Sequence, residues 1–534
     1  MDVPNQTGAL RRHWHALERF AASRRATPAL LLAALLVYGL VSLALPLSPG
    51  RDLGRYLVVY AQLFGDVVYP YALVSRPPGT PLVAGAMLDL GPIAAEAGAA
   101  ALYALSILAW CSVARRFGPA AAIGTAVALL AYPGYVLLFH KLSSDAVFAA
   151  AFAFTAPLLA RALERPSAGR TAALGAGVAA CILTRPVAQV LLLLALVPLV
   201  VAPTWRGRLQ GAAAFALVAI LPLLAWAGHN AVRGDDFTLG RGGGATLPLF
   251  RTFVADKIVE PENGDASREL AQAVARDLLP YEPYRSYEIS LDEFFSSGSA
   301  RMHEDLTGLA DRTWGWDDDY GHLAQVGREA VLAHPGAYAR GVAGDLRDLL
   351  VWPLYVDAGT EEAAPTATDR ALAQASDLPV PSEGEPIPAA RQSQYIATPD
   401  GSIREVWTSP TEHHVEFDNP ADAERAAEID RRVADLMAGF PDRAARPEAV
   451  EWLNRASRWY PRPVVWLVAG VVALLVRRRL WRRLAVPALL TASALLILLG
   501  TSLAVYAVPE YAVPVVPAFV LLAAAGLTAP RPAR

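Results

Sequence analysis

The chain has 534 residues, of which 54% are hydrophobic and only 18% are charged, and its mean hydropathy is +0.32. This composition is too apolar for an ordinary soluble domain and indicates a protein that crosses a membrane several times. The formal net charge of −3 gives no reason to expect nucleic-acid binding. Cys111 and Cys181 lie in apolar runs, without the spacing of a metal site or a disulfide framework.

Apolar runs of roughly 20 residues, the length that a bilayer core requires, predict about ten membrane-spanning helices. No small-residue cleavage site follows the first run, which we therefore interpret as a retained anchor. The predicted spans cover residues 28–47, 92–113, 119–139, 146–163, 171–183, 187–202, 209–228, 463–476, 484–505 and 513–527. The predicted fold class is an all-α, multi-pass membrane protein.

Arginines occur in every second loop between these spans, as expected if the N-terminus is cytoplasmic. They are Arg11, Arg12, Arg24, Arg25, Arg115, Arg116, Arg161, Arg165, Arg170, Arg206, Arg208, Arg477, Arg478, Arg479, Arg482, Arg483, Arg531 and Arg534. The remaining loops are therefore predicted to lie outside the cytoplasm. Because arginine greatly exceeds lysine, as in GC-rich bacterial genomes, we expect the chain in a bacterial cytoplasmic membrane.

This topology predicts five regions along the chain. They are a cytoplasmic tail over residues 1–27, a membrane module over 28–229 whose first outer loop spans 48–91, an extracytoplasmic insert over 230–461, C-terminal membrane helices over 462–529 and a cytoplasmic tail over 530–534.

The insert contains no apolar run long enough to cross a membrane, and it is acidic and rich in Pro and Gly. Helical spacing over residues 328–352, and Asn419 as a cap before Pro420, predict a mixed or mostly helical structure. Residues 361 to about 404 have the composition of a flexible loop. Residues 314–322 contain consecutive carboxylates without the alternation of a calcium loop, and they predict a solvated helix cap.

The first outer loop begins with the sequence SPGRDLGRY, residues 48–56. Apolar residues recur at helical spacing at Leu53, Leu57, Ala61 and Phe64, which predicts a short amphipathic helix on the outer membrane surface. Asp52 would lie in its first turn, where a carboxylate is electrostatically favoured.

Asp52, Arg55 and Tyr56 are predicted to project away from this apolar stripe, towards the outer mouth of the helix bundle. From this stretch alone, a solvated interfacial helix is the simpler interpretation. Ionisable or phenolic groups at other outward ends favour a functional pocket, although snorkelling and structural pairing also explain individual side chains. They are Arg76, His140, Lys141, Asp145, Arg185 and Tyr511.

One carboxylate with several cations at a lipid interface suits transfer of a sugar from a polyprenyl phosphate. The leaving group is a phosphate monoester whose pKa is near 6, so its departure needs no general acid. A glycosidase, in contrast, needs two carboxylates. One base for the acceptor hydroxyl is sufficient, and arginine forks can bind the phosphate oxygens as charge develops.

The chain resembles the GT-C superfamily of membrane glycosyltransferases, in particular the branch of protein O-mannosyltransferases and lipid A aminoarabinose transferases. That branch has Asp-Glu-x-Arg-Tyr in its first outer loop, followed by Lys-Pro-Pro. This chain has Asp-Leu-Gly-Arg-Tyr at residues 52–56 and Arg-Pro-Pro at 76–78. The family's aspartate after the third span, base after the fifth span and Tyr-x-x-Pro-x-x-Pro pattern are matched by Asp145, Arg185 and residues 511–517.

The resemblance implies a GT-C-like bundle and an inverting hexosyl- or pentosyltransferase, with Asp52 as the catalytic base. The acceptor would be an extracytoplasmic glycan, lipid or protein. The residues expected to hold the donor phosphate are Arg55, Arg76 and Arg185. The residues expected to position the substrates are Tyr56, His140, Lys141, Asp145 and Tyr511.

No cofactor is assigned by the sequence, and dependence on a divalent metal stays open. Leu53 replaces the second acid of the family's usual pair, which weakens a metal site there and leaves Asp52 and Asp145 as the candidate ligands. Glu510 occupies a position where relatives often carry arginine, so no donor contact is expected at that residue.

Two other classes of protein stay open as alternatives. A transporter or lipid flippase often has charged or broken helices near the bilayer midplane and a pseudo-symmetric repeat, and the sequence indicates neither. A polysaccharide polymerase or ligase would use a lipid diphosphate glycan, and only the first-loop motif disfavours it.

Overall fold

The computed structural model describes residues 6–63, 76–241, 247–285, 287–352, 394–395, 403–407, 413–477 and 482–528. Several predictions concern residues outside these ranges: Phe64 in the first outer loop, most of the flexible stretch over 361–404 and the tail over 530–534. Within the described ranges the chain is predominantly helical.

Each of the ten predicted spans corresponds to a helical segment. Five helices are long and apolar enough to cross a membrane, or up to seven spans if two bent pairs each count as one. Shorter apolar helices, Ala168–Thr184, Pro186–Val201 and Val516–Thr528, occupy the other predicted positions. The all-α multi-pass fold is thus confirmed, with ten as an approximate count.

The α-helices of the membrane part, including its two outer-loop helices, are Gln6–Ala21, Ala26–Ser42, Leu53–Leu63, Gly79–Asp89, Pro92–Ala114, Pro119–Leu130, Pro133–His140, Ser144–Glu164, Ala168–Thr184, Leu196–Val201, Trp205–Gly234, Pro463–Val476, Ala485–Ala504 and Val516–Thr528. Short 3-10 helices are Arg115–Phe117, Pro186–Ala195 and Pro509–Ala512. Two strands, β1 (Ser48–Pro49) and β2 (Lys141–Leu142), pair in parallel.

The described part of the insert is mostly helical, which agrees with the predicted mixed or mostly helical structure. Its α-helices are Leu247–Phe250, Asp265–Asp277, Leu291–Ser297, Ala300–Trp314, Asp319–Ala333, Pro335–Val351, Pro420–Met437 and Pro447–Trp459, with a π-helix at Arg251–Ala255 and a 3-10 helix at Pro261–Asn263. An antiparallel sheet joins β3 (Gln394–Tyr395), β4 (Ile403–Trp407) and β5 (His413–Phe417) in that order. The predicted cap at Asn419 is confirmed, since its side chain accepts a hydrogen bond from the backbone of Ala421 (3.0 Å).

Basic loop ends predicted to be cytoplasmic meet at one end of the helix bundle. The guanidinium of Arg115 donates to the hydroxyl of Thr27 (2.6 Å), which joins the end of one helix to the start of another. Arg116 forms an ion pair with Glu164 at the end of the Ser144–Glu164 helix. Three turns that are distant in sequence therefore lie at the same end of the helix bundle.

The predicted solvated cap over residues 314–322 is wrong for one carboxylate. Asp319 is 1% exposed and accepts a hydrogen bond from Arg241 (2.8 Å), whose guanidinium stacks on the Trp316 ring at 3.3 Å. Burial raises the pKa of Asp319 to about 7, against the lowering effect of Arg241. The glycine-rich segment that follows Arg241 lies outside the described residues from 242 to 246.

The insert has its own hydrophobic core, which includes Leu249, Phe253 and Leu270, and Arg251 joins this core to the membrane helices. The Arg251 side chain is 1% exposed and binds both carboxylate oxygens of Asp256 (3.0 and 2.9 Å) as well as Asp345.

The same guanidinium also donates to the carbonyl oxygens of Ser502 and Val505, at the end of the Ala485–Ala504 helix. Arg251 is therefore bound at the same time by carboxylates of the insert and by backbone of the C-terminal membrane helices.

We predict that Arg251→Met lowers the stability of the protein by about 3–5 kcal/mol, because two carboxylates lose their shared cation in a buried site. The measurement is the apparent unfolding temperature of the protein purified in detergent. The control is Arg268→Gln, which removes an exposed pair with Asp265 and should cost less than about 1 kcal/mol. Equal unfolding temperatures for both variants would contradict the prediction.

Candidate active site

Strands β1 and β2 attach the first outer loop to the end of the third predicted span. Ser48 pairs with Lys141 and Pro49 with Leu142, and the amide of Gly50 continues the pairing by donating to Leu142 (2.9 Å). A Cβ at Gly50 would lie 2.7 Å from the Cβ of Ser143, so this close approach requires glycine. The loop that contains Asp52 therefore begins beside the segment that contains Asp145.

Asp52 immediately precedes the Leu53–Leu63 helix and has a positive φ of 58°. This left-handed conformation is uncommon for residues other than glycine and is tolerated best by Asn and Asp. The Asp52 side chain is exposed, and within the described part of the chain its carboxylate has no hydrogen-bond or ion-pair partner. An accessible carboxylate of this kind can accept a proton.

The apolar stripe of the Leu53–Leu63 helix packs on protein rather than lying open on the membrane surface. Leu53 and Leu57 are buried in the core of the membrane part. Tyr56, predicted to project from the stripe, is also buried at 7% exposure.

Asp145 and Arg185 form a nearly buried ion pair, with side-chain exposures of 6% and 13%. The hydroxyl of Ser143 caps the helix that carries Asp145 by accepting from the backbone of Ala146 (3.3 Å). The Arg185 guanidinium also lies over the Tyr511 ring, 4.4 Å from its centroid. Three of the predicted site residues, from three separate segments, are thus in contact.

Arg51 also belongs to this group, although no pattern in the sequence assigns it to the site. Its Nη1 atom lies 3.4 Å from the Tyr511 hydroxyl, and its guanidinium is 5.8 Å from the ring centroid. Burial raises the pKa of Tyr511 to about 12, although both arginines oppose this rise, so the phenol is protonated at neutral pH. The only signal in the sequence is the position of Arg51 directly before Asp52.

The Arg-Pro-Pro-Gly turn lies against the backbone that leads to Arg185. A Cβ at Gly79 would lie 2.6 Å from the carbonyl oxygen of Leu183, and the Thr80 hydroxyl donates to the carbonyl of Thr184 (3.4 Å). The Arg76 guanidinium lies 5.7 Å from the centroid of the Tyr56 ring. The loops of Arg76 and Arg185 are therefore neighbours.

Arg55 is directed towards the insert. Its Nη2 atom donates to Oε1 of Glu304 at 2.7 Å, and the two side chains are 59% and 52% exposed. The pair joins the first outer loop to the Ala300–Trp314 helix.

His140 and Lys141 are both buried, at 0% and 7% exposure. The His140 ring stacks on Tyr38, and its nitrogens lie 3.2 Å from the Ser42 hydroxyl and 2.9 Å from the Val136 carbonyl. Its backbone carbonyl accepts from the Ser48 hydroxyl (3.3 Å). His140 therefore contacts the first outer loop through its backbone and not through its ring.

The described residues contain no group of three or more His, Cys, Asp or Glu side chains that could hold a metal ion. Asp145, one of the two candidate ligands, faces the Arg185 guanidinium. The donor set that can be seen around Asp52 and Asp145 thus does not fit a metal centre built from several carboxylates.

Comparison with known proteins finds a family match over part of the chain. Residues 75–227 match the model of the dolichyl-phosphate-mannose-protein mannosyltransferase family. The match includes Arg76, Asp145 and Arg185 but neither Asp52 nor Tyr511. This family belongs to the GT-C group, so the resemblance to GT-C enzymes is confirmed over these residues, and it supports a membrane glycosyltransferase.

Two solved structures are similar to the chain at low level, and no curated protein matches it. They are ArnT from Cupriavidus metallidurans bound to undecaprenyl phosphate (TM-score 0.34) and the same protein in the apo state (TM-score 0.32). Each is 17% identical, and each comparison covers 95% of this chain and 78% of the other.

We predict that Gly79→Ala destabilises the protein by about 1–3 kcal/mol, because the added methyl group would overlap with the backbone of Leu183. The measurement is again the apparent unfolding temperature in detergent. Gly54→Ala is the matched control, since a Cβ at Gly54 meets no atom within 4 Å and alanine is favoured in a helix. An unchanged unfolding temperature for Gly79→Ala would show that the turn at Gly79 is not packed against the backbone of Leu183.

Proposed function

We propose that the chain transfers a sugar from a polyprenyl-phosphate donor to a hydroxyl group of an extracytoplasmic acceptor. The main supporting observation is the arrangement around Tyr511. The guanidinium groups of Arg51 and Arg185 both contact the Tyr511 side chain, and Asp52 directly follows Arg51 in the chain. The family match adds support, because its description names a polyprenyl-phosphate sugar as donor.

In this proposal Asp52 removes the proton of the acceptor hydroxyl. The acceptor oxygen then forms a bond to the anomeric carbon, while the bond from that carbon to the phosphate oxygen breaks. The electron pair of the broken bond stays on the phosphate, whose low pKa makes it a leaving group that needs no proton. A single displacement of this kind inverts the anomeric centre.

The arginines have the complementary role of stabilising the phosphate as its charge increases. Arg185 is oriented by Asp145 and by the Tyr511 ring, and it has further N–H donors besides the one that binds Asp145. We propose that Arg51 and Arg76 also bind the phosphate, and that Arg55 joins them when it leaves Glu304. Asp145 is then a positioning residue for Arg185 instead of a metal ligand.

The transferred sugar is a hexose or pentose in this proposal, and the acceptor is a glycan, a lipid or a protein. The enzyme would lie in a bacterial cytoplasmic membrane with its N-terminus in the cytoplasm. Thr27, Arg115 and Glu164 lie at the same end of the helix bundle. This supports the proposed orientation, because loops rich in Arg and Lys are retained on the cytoplasmic side. Asp52, beyond the opposite end of the Ala26–Ser42 helix, would then be outside.

We predict that Asp52→Asn reduces transfer by about 10²–10⁴-fold, the usual contribution of a general base, while the unfolding temperature is unchanged. The assay combines purified protein with defined polyprenyl-phosphate sugars and detects the product by mass. Asp265→Asn is the control, because its carboxylate is 91% exposed in the insert.

Full transfer by Asp52→Asn would exclude this mechanism. Activity only with lipid-diphosphate glycans would indicate a polymerase or ligase. Movement of lipid or solute across vesicles, with no dependence on Asp52, would indicate a transporter or flippase.

We further predict that Glu304→Gln lowers the donor KM by up to about fivefold, because an exposed ion pair that competes for Arg55 is worth at most about 1 kcal/mol. Glu451→Gln, which removes a comparably exposed carboxylate elsewhere in the insert, should leave KM unchanged. If Glu304→Gln and Arg55→Gln both leave the donor KM unchanged, Arg55 does not contact the donor.

A further inference from the structure

The Gln6–Ala21 helix presents large apolar side chains that the described part of the chain covers only in part. Trp14, Leu17 and Phe20 are spaced three residues apart, and they are 43%, 50% and 46% exposed. At this spacing they lie on neighbouring positions of one helix face. Contiguous exposed apolar surface of this kind indicates an interaction site.

The orientation of this helix relative to the membrane follows from that of the next helix, Ala26–Ser42. The segment Trp14–Ala21 makes an angle of 101° with Ala26–Ser42, across a break of only a few residues. Ala26–Ser42 covers most of the first predicted span, and a segment perpendicular to a helix that crosses the membrane lies parallel to the membrane plane. The short connection, residues 22–25, keeps it at the level where Ala26–Ser42 enters the bilayer.

The charge around the apolar face is positive. Arg19, Arg24 and Arg25 are exposed. Residues 14–25 contain one acidic residue, Glu18. Glu18 accepts a hydrogen bond from the Trp14 indole (2.9 Å) and lies 3.2 Å from the His15 ring. Arginines beside a half-exposed tryptophan at the end of a membrane helix are complementary to anionic phospholipid headgroups.

We propose that the Gln6–Ala21 helix is a membrane-surface helix that binds anionic lipid. Trp14, Leu17 and Phe20 insert at the boundary of headgroups and acyl chains, and the adjacent arginines bind lipid phosphates. A lipid surface is favoured over a protein partner because the helix is continuous with a membrane segment and is held perpendicular to it. This binding is independent of the proposed sugar transfer.

Spin labels on the full-length protein in lipid nanodiscs test this proposal. One label is placed at Leu17→Cys on the apolar face, and the other at His15→Cys, whose side chain is 69% exposed on the polar side. The native Cys111 and Cys181 are buried, and the unsubstituted chain serves as the labelling blank. The readout is the ratio of collisions with oxygen, which concentrates in lipid, to collisions with a water-soluble nickel chelate.

We expect the oxygen-to-nickel ratio at Leu17 to exceed that at His15 on the order of threefold in phosphatidylglycerol discs, with a smaller difference in phosphatidylcholine discs. Arg24→Gln with Arg25→Gln should remove the dependence on phosphatidylglycerol. Equal ratios at the two labels would place the helix in water and overturn the proposal. Protection of Leu17 from both reagents would overturn it as well, because protein would then cover the face.

Discussion

The parallel pairing of Ser48–Pro49 with Lys141–Leu142 is the constraint on which the candidate site depends. It joins two segments more than ninety residues apart through backbone hydrogen bonds, which hold position without depending on side-chain rotamers. Gly50 allows the approach to Ser143 that follows, and Asp52 then adopts its left-handed conformation before the helix. Together these features place the accessible carboxylate beside the segment that carries Asp145.

Arginines of the candidate site bind carboxylates of their own chain. Arg185 binds Asp145 where both side chains are nearly buried, whereas Arg55 binds Glu304 where both are more than half exposed. Water screens the second pair and weakens it, but the first pair is screened much less. Under the proposed function, the ion pair of Arg185 with Asp145 persists when the donor binds. Arg55 can instead release Glu304 and bind the donor phosphate.

The sequence was sufficient to predict the helical fold, because membrane helices are recognised by length and hydropathy, which are local properties. It also predicted that Asp145, Arg185 and Tyr511 approach one another, because topology brings alternate loops to one side. The identities of the partners were not predictable. The ring of His140 stacks on Tyr38 and Arg51 reaches Tyr511 because of packing between distant segments, for which no local pattern exists.

The bonds from Arg251 to Ser502 and Val505 have a consequence for biosynthesis. Ribosomes add about 5–20 residues per second, so the C-terminal partners appear roughly 10–50 s after Arg251 has been made. During that interval the insert has a cationic side chain whose final backbone acceptors do not yet exist. The buried site of Arg251 can therefore be completed only after residue 505 has been made, and a chain truncated before residue 502 would lack both backbone acceptors.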